Sequence, residues 1–478
     1  MGNGSIIQLA TSKSKSIGIT NNPRGTIFKA KLKRHTDFSR EEVFHEFNGR
    51  VNFGSRFSCT ISNTPDMLGR VALCIVLPSL PRSNDGTRVA WVKNIGFALI
   101  KTVEITIDDK VIDKHCGEWL YVFSKLTNSC DDRLIGNVRE NTEFTDGKSE
   151  YVIHIPLQFW FCRKTSCAIP IAAIQKSDIR INVELNSLQD LLLISPTHSV
   201  STTNSMVSFT SGETLVQKTE DDILRRGVFV RYDWAEKKIS FTSTTANVFD
   251  VSLNAPPVVG EQSGYSITPT GMIRSLSHLK KAHDNIILKS CKLITEYIYL
   301  SEKERKKLIK TKTQYIVEQL YCTTNTTLSN TNCKVKIVGK HPCKLMVWMG
   351  KEVQRDKSDM FNYKTHQTKQ KIISQTQILL NSQKILDESD GEYHTNVQQI
   401  DYANGSFLEG VNMHSFSLRP FDHTPTGTVN LSKFENIMLT MRMNNAVSPS
   451  NKVEFTAYCL CYNVWCVSEG RSTLAYER

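Results

Sequence analysis

KVIDKHCGEW (110–119) returns as KILDESDGEY (384–393), in register at an offset of 384 − 110 = 274. Val111/Ile385, Ile112/Leu386, Asp113/Asp387, Gly117/Gly391, Glu118/Glu392 and Trp119/Tyr393 pair along it. Similarity at a long fixed offset marks one structural unit used twice. In each copy a β-rich run leads to a two-residue turn candidate, Asp108-Asp109 or Asn381-Ser382. Asp and Asn tolerate the positive φ of tight hairpin turns, so the repeated piece reads as a hairpin and not a helix. Trp119 and Tyr393, equivalent after Gly-Glu, are each expected to pack into their own copy.

Strand signals dominate outward from the repeat. Val103, Ile105 and Ile107 alternate with Thr102, Glu104 and Thr106, and Ile179, Ile181, Val183 and Leu185 alternate with Arg180, Asn182 and Glu184. Val71–Leu77 and Tyr458–Val464 are nearly continuous apolar runs, as for strands covered on both faces. Short strands between turn signals predict an all-β sandwich or barrel in each copy. The clearest helix is short: Ser301 and Glu304 form a capping-box pattern opening KERKKLIKTK (303–312), between TEYIYL (295–300) and TQYIVEQLY (313–321). From Asp387 to Tyr458 is 71 residues, but from Asp113 to Tyr297 it is 184. The excess lies at about 190–290, too long for a structureless loop, and predicts an ordered insertion.

The 478 residues, 40% of them hydrophobic, can bury a sizeable core, and two large domains suit the repeat. No run approaches the roughly 20 apolar residues of a membrane span, and MGNGSIIQLATSKSKS has no apolar signal-peptide core, so synthesis in the cytosol is expected. Ile6 stands where N-myristoylation of Gly2 requires Ser or Thr. The 13 cysteines are an odd number, mostly within apolar runs and without C-x-x-C pairs, and read as reduced core residues. The net charge of +12 favours an acidic partner. It is concentrated early: Lys13, Lys15, Arg24, Lys29, Lys31, Lys33 and Arg34 precede the first acid, Asp37.

Catalytic patterns fail one by one. GKS (147–149) lacks the phosphate-loop glycine because position 142 is Thr, no G-x-S-x-G occurs, and the histidines show no H-x-x-x-H spacing. His341-Pro-Cys343 reads as edge packing, the acid pairs Asp108-Asp109, Asp131-Asp132 and Asp221-Asp222 as turns, and the aromatic PLQFWF (156–161) as core. No catalytic, cofactor-binding or metal-binding constellation and no small-molecule substrate are expected, and the chain reads as not an enzyme.

TNNPRGTIFKAKLKRHTDFS (20–39), IDKHCGEWL (112–120), IPLQFWFCR (155–163), AIPIAAIQKSDIRINVEL (168–185), EYIYLSEKERKKL (296–308), YIVEQL (315–320), KHPCKLMVW (340–348), SFSLRP (415–420), PTGTVNLSKFEN (425–436) and GRSTLAYER (470–478) keep an order and spacing. Together they resemble the double jelly-roll major capsid proteins of large eukaryotic DNA viruses. The resemblance implies two tandem eight-stranded antiparallel jelly rolls joined by a short helix. Residues 1–25 would be an N-terminal arm, 26–300 the first roll with its insertion, 301–312 the linker helix and 313–478 the second roll. It further implies a homotrimeric, pseudo-hexagonal capsomer in an icosahedral virion shell, contacting neighbouring capsomers and minor capsid proteins, and made in the host cytoplasm. Asp108-Asp109 in a turn usually rich in Gly, FDHT (421–424) in place of an acidic loop, and the long insertion depart from the family, and leave room for a divergent or minor capsid paralogue. A jelly-roll sugar- or nucleic-acid-binding module is the alternative.

In such a roll, the arm and the linker helix emerge at one end and the insertion at the other. With the termini facing inward, the insertion decorates the outside. Lys13, Lys15, Arg24, Lys303, Arg305, Lys306, Lys307 and Lys310 then form a basic inner surface suited to anionic membrane lipid or acidic minor capsid proteins.

Overall fold

Both copies of the repeat open as a hairpin with the same turn. In the computed structural model, Ile100–Ile107 and Lys110–His115 pair around Asp108 and Asp109 at φ 50° and 61°. Ile373–Leu380 and Gln383–Lys384 pair around Asn381 and Ser382 at φ 47° and 69°. Two successive left-handed residues make the turn whose twist matches that of the flanking strands. The structure describes residues 35–82, 87–203, 207–219, 224–244, 248–252, 254–276, 285–353, 355, 357–365, 369–385, 389–390, 392–449 and 451–476. Contacts divide the chain into Met1–Phe38, of which only residues 35–38 are described, and Ser39–Arg478, which holds both rolls.

The first roll is built from β1 (Phe38–Glu46), β2 (Arg56–Thr60), β3 (Met67–Leu77), β4 (Ile100–Ile107), β5 (Lys110–His115), β6 (Tyr151–Pro156), β7 (Ile179–Leu185) and β8 (Ser290–Leu300). The second uses β9 (Thr313–Leu328), β10 (Asn332–Lys336), β11 (Pro342–Glu352), β12 (Ile373–Leu380), β13 (Gln383–Lys384), β14 (Val411–Ser415), β15 (Ile437–Met443) and β16 (Val453–Ser468). Sheet orders are β1-β8-β3-β6 and β2-β7-β4-β5 in the first roll, and β9-β16-β11-β14 and β10-β15-β12-β13 in the second. Adding eight to each strand of the first converts it into the second, so these are two jelly rolls of one topology. Alternation in β7 buries Ile179, Ile181, Val183 and Leu185, whereas in β11 every residue from Cys343 to Glu352 is buried. The expected aromatic core is present, with Phe159, Trp160 and Phe161 all buried.

The insertion is an ordered sheet of its own. Seven antiparallel strands run in the spatial order Ser266–Ile267, Val258–Gly260, Thr214–Lys218, Leu224–Asp233, Lys238–Ser243, His198–Thr202 and Pro269–Ser275. They enclose a separate apolar cluster that includes Leu215, Phe229, Ile239, Phe241 and Val258. The insertion leads into β8 at Ser290, and the helix leaves β8 at Leu300. Eleven residues separate these points, about 36 Å of extended chain. Contacts of Lys292 with Glu46 and of Tyr299 with Glu41 set β1 antiparallel to β8. The chain therefore enters β1 at the helix end.

Three expectations are corrected. The repeat is a hairpin only in its first half, for Gly117–Thr127 forms helix α1. Gly117 is required there because a Cβ would lie 2.0 Å from the Phe97 carbonyl oxygen. The linker is helical over Glu302–Lys310 (α2), but the Ser301 side chain makes no cap hydrogen bond. Buried Asp66 holds this junction instead, accepting the Leu300 N–H at 2.8 Å and pairing with Arg305 at 3.0 Å. Finally, Trp119 is fully buried but not within its own roll alone: its ring lies 5.2 Å from that of Tyr458 on β16. Tyr393 is only half-buried, and the adjacent His394 takes the interior position against Trp348.

Trp119→Ala should cost about 3–5 kcal/mol, the range for emptying a buried aromatic site. Denaturant unfolding checks this, and a loss below about 1 kcal/mol would show that the site collapses or hydrates freely.

Candidate functional site at the inter-roll seam

The strip from Asp113 to Trp119 works as a docking edge. Asp113 Oδ1 accepts the Leu320 N–H of β9 at 2.9 Å, while Gln319 Nε2 donates to the Ile112 carbonyl at 2.6 Å. His115 Nε2 lies 2.9 Å from the other Asp113 oxygen, and its ring stacks on Phe159. Glu118 accepts from the Tyr458 hydroxyl at 3.1 Å and pairs with Lys351 at 2.9 Å. Farther along α1, Phe123 meets Phe421, and the Lys125 carbonyl accepts the Ser406 N–H at 2.7 Å. One apolar cluster runs through this seam, joining Trp119, Phe123 and Phe159 to Val317, Leu345 and Tyr458.

Beside the strip, Glu318 is buried among cations. Lys344 Nζ is 2.7 Å from Oε1, His423 Nδ1 is 3.2 Å from the same oxygen, and Arg163 bonds Oε2. Arg163 comes from the first roll, so the cluster spans the seam. A shift of register between Cys343 and Leu345 marks a β-bulge at Lys344, a device that re-aims a side chain. Lys344 also donates to the Asp422 carbonyl at 2.9 Å and lies over the Tyr462 ring. Burial works to raise the Glu318 carboxyl, but Arg163 and Lys344 outweigh it and hold the group far below the usual carboxylate range. Burial likewise lowers the Lys344 ammonium, partly offset by Glu318. At His423 burial opposes the charge, but hydrogen bonds to Cys167 and Glu318 raise the imidazole to about 9.

The basic residues singled out from the sequence divide. Lys13, Lys15 and Arg24 lie outside the described residues. α2 buries no residue: Arg305 is tied to Asp66 and Lys306 to Glu302, while Lys303, Lys307 and Lys310 are exposed. His341 contacts the Tyr321 and Tyr476 rings, and Cys343 donates to the Leu345 carbonyl. No group of three potential ligands that could hold a metal occurs among the described residues. The seam itself was hidden from sequence reading, because its partners lie some 200 to 340 residues apart. The repeated motif was the only available signal for it.

His423 yields a pH dependence. Its imidazole stays charged to about 9 in the folded chain but only to about 6.5 when unfolded. Its stabilisation is therefore complete below pH 6.5 and is lost as pH rises through 9, by at most about 3 kcal/mol. Unfolding free energies from pH 6 to 10 should show this alkaline loss, and His423→Gln should flatten it. Parallel profiles for the two proteins would remove His423 from the seam's energetics.

Comparison with known proteins matches this architecture. A family model for the N-terminus of major capsid proteins matches residues 26–217, and one for the large eukaryotic DNA virus major capsid protein matches residues 304–472. The chain is 31% identical to probable capsid protein 4 of Acanthamoeba polyphaga mimivirus, across 99% of both sequences. It is 22% identical to the major capsid protein of Phaeocystis pouchetii virus, again across 99% of both. Among solved structures, the Faustovirus major capsid protein superposes with a TM-score of 0.64 at 10% identity, covering 93% of each chain. The quasi-atomic model of the PBCV-1 virus capsid gives 0.63 at 20% identity, covering 95% of this chain and 100% of the other. With the paired rolls, their fused seam and this full-length similarity, the chain belongs to the major capsid protein family of large eukaryotic DNA viruses, as a structural capsid subunit.

Proposed function

We propose that three copies of the chain close into a pseudo-hexagonal capsomer, each roll-to-roll contact within a chain being imitated by one between chains. The observation that carries this reading is an unmatched face on the second roll. At the repeat offset of 274, Phe123 and Leu126 of α1 correspond to Val397 and Ile400. The first pair is buried in the seam, at 3% and 0% exposure, whereas the second is 42% and 75% exposed. The second roll thus carries a counterpart of the face by which the first roll docks, and its Val397 and Ile400 are exposed. A second copy's first roll fits that face, and three such contacts close a ring.

The two ends of the first roll then take different partners. The insertion, opposite α2, faces outward. Lys303, Lys307 and Lys310, near where the chain enters β1 from a basic arm, face inward toward acidic minor capsid proteins or anionic inner-membrane lipid. Each lysine near such a membrane is worth about 1 kcal/mol. Neighbouring capsomers meet at the tile's rim, and synthesis takes place in the host cytoplasm.

Light scattering during size-exclusion chromatography should give the trimer mass for the native chain and the monomer mass for Ile400→Glu, with unchanged circular dichroism. A native monomer, or an Ile400→Glu trimer of equal stability, would overturn the docking assignment. Changing Lys303, Lys307 and Lys310 to Gln should leave the trimer intact and weaken binding to anionic over neutral vesicles by tenfold or more. Equal binding of both forms would exclude the lipid partner, and failed shell assembly despite it would point to the protein partner.

A further inference from the structure

Five of the chain's six tryptophans are interior. Trp91, Trp119, Trp160, Trp348 and Trp465 are all 2% exposed or less, and Trp234 is 62% exposed. Tryptophan carries the largest apolar surface of any side chain together with one N–H donor, which suits it to ligands with an apolar face and a polar rim. Trp234 sits at the tip of the hairpin formed by Leu224–Asp233 and Lys238–Ser243, in the insertion. This hairpin lies between the segments that the capsid family models match, 26–217 and 304–472.

The tip is held in shape. Asp233 Oδ1 accepts the N–H groups of Ala235 and Glu236 at 3.0 and 3.2 Å, and Lys237 closes the turn at φ 49°. The Tyr232 ring meets the Trp234 indole edge to face at 4.9 Å and 84°. The indole is thus pre-positioned, which lowers the cost of binding. Around it, Asp233 and Glu236 stand among Arg231, Lys237 and Lys238, so residues 231–238 mix both signs and carry a net charge of only +1. Nucleic acid or an anionic membrane would call for a basic surround. A neutral ligand with an apolar face and a rim of hydroxyls suits this tip: its C–H groups meet the electron-rich indole face, and its hydroxyls meet carboxylate and ammonium groups.

We propose that the Tyr232–Trp234 hairpin is a carbohydrate-binding site that stacks a pyranose ring on the Trp234 indole. Binding by one tip is weak, and many tips on one particle supply the avidity.

The test uses the full-length chain on an array of immobilised hexose and N-acetylhexosamine oligosaccharides. Tryptophan fluorescence with acrylamide as quencher is measured in parallel. Because the other indoles are buried, quenching reports on Trp234. The native chain should bind at least one oligosaccharide, and that sugar should shield the indole from acrylamide. Trp234→Ala should reduce array binding at least tenfold with unchanged melting temperature and oligomer mass, and Trp234→Phe should restore part of it. No array binding by the native chain, or equal binding by Trp234→Ala, would overturn the proposal. Shielding that follows protein concentration alone, with a lower oligomer mass for Trp234→Ala, would reassign the tip to contact between copies.

Discussion

Glu318 places a negative charge where water does not reach, and the groups that neutralise it come from both rolls. Arg163 arrives from the first roll, and Lys344 and His423 from the second. A buried ion cluster of this kind adds little net stability over an apolar filling, but removing one member leaves the others uncompensated. It therefore acts on geometry. The rolls can adopt only the relative placement in which all these groups meet, and the hydrogen bonds of Asp113 and Gln319 fix the same registration nearby. Two β barrels are thereby joined in a single registration, around one apolar cluster that both contribute to.

The duplication produced likeness in topology and asymmetry in surroundings. Strand order is preserved across both sheets, because it depends on local turns and alternating side chains. What each copy touches has diverged. The helix after the first hairpin turns Trp119, Leu120, Val122, Phe123 and Leu126 inward, whereas its counterpart breaks into a short wide-turn segment, Tyr393–Val397, and one further helical turn, Gln398–Tyr402. There, Gln399 accepts the N–H of Leu408 and Gln398 that of Ser415 at the end of β14.

How much was legible follows the range of the interactions. The hairpin turns could be read because Asp108-Asp109 and Asn381-Ser382 state their backbone preference locally. The strands of the rolls could be read from alternation, and the family from the order of its motifs. Helix α1 was missed because WLYVF (119–123) is an unbroken apolar run, which by itself reads equally as a buried strand. Trp119 was placed in the core, but its contact with Tyr458 depends on a residue 339 positions away (458 − 119). The bulge that turns Lys344 toward Glu318 leaves no mark in KHPCKLMVW. The basic character of α2 was plain, whereas the commitment of Arg305 to Asp66 was not.

The insertion's position between β7 and β8 bears on how such a chain can change. The sheet carries its own apolar cluster, so its residues can be exchanged without opening either roll's interior. Its two ends are gathered by the short ladder between Arg88–Trp91 and Leu192–Ser195 and by the start of β8, so added or lost length leaves the register of the rolls untouched. The insertion is in this sense a replaceable cassette. Selection can rewrite it at the pace of a surface loop, while the two rolls stay bound to their shared seam.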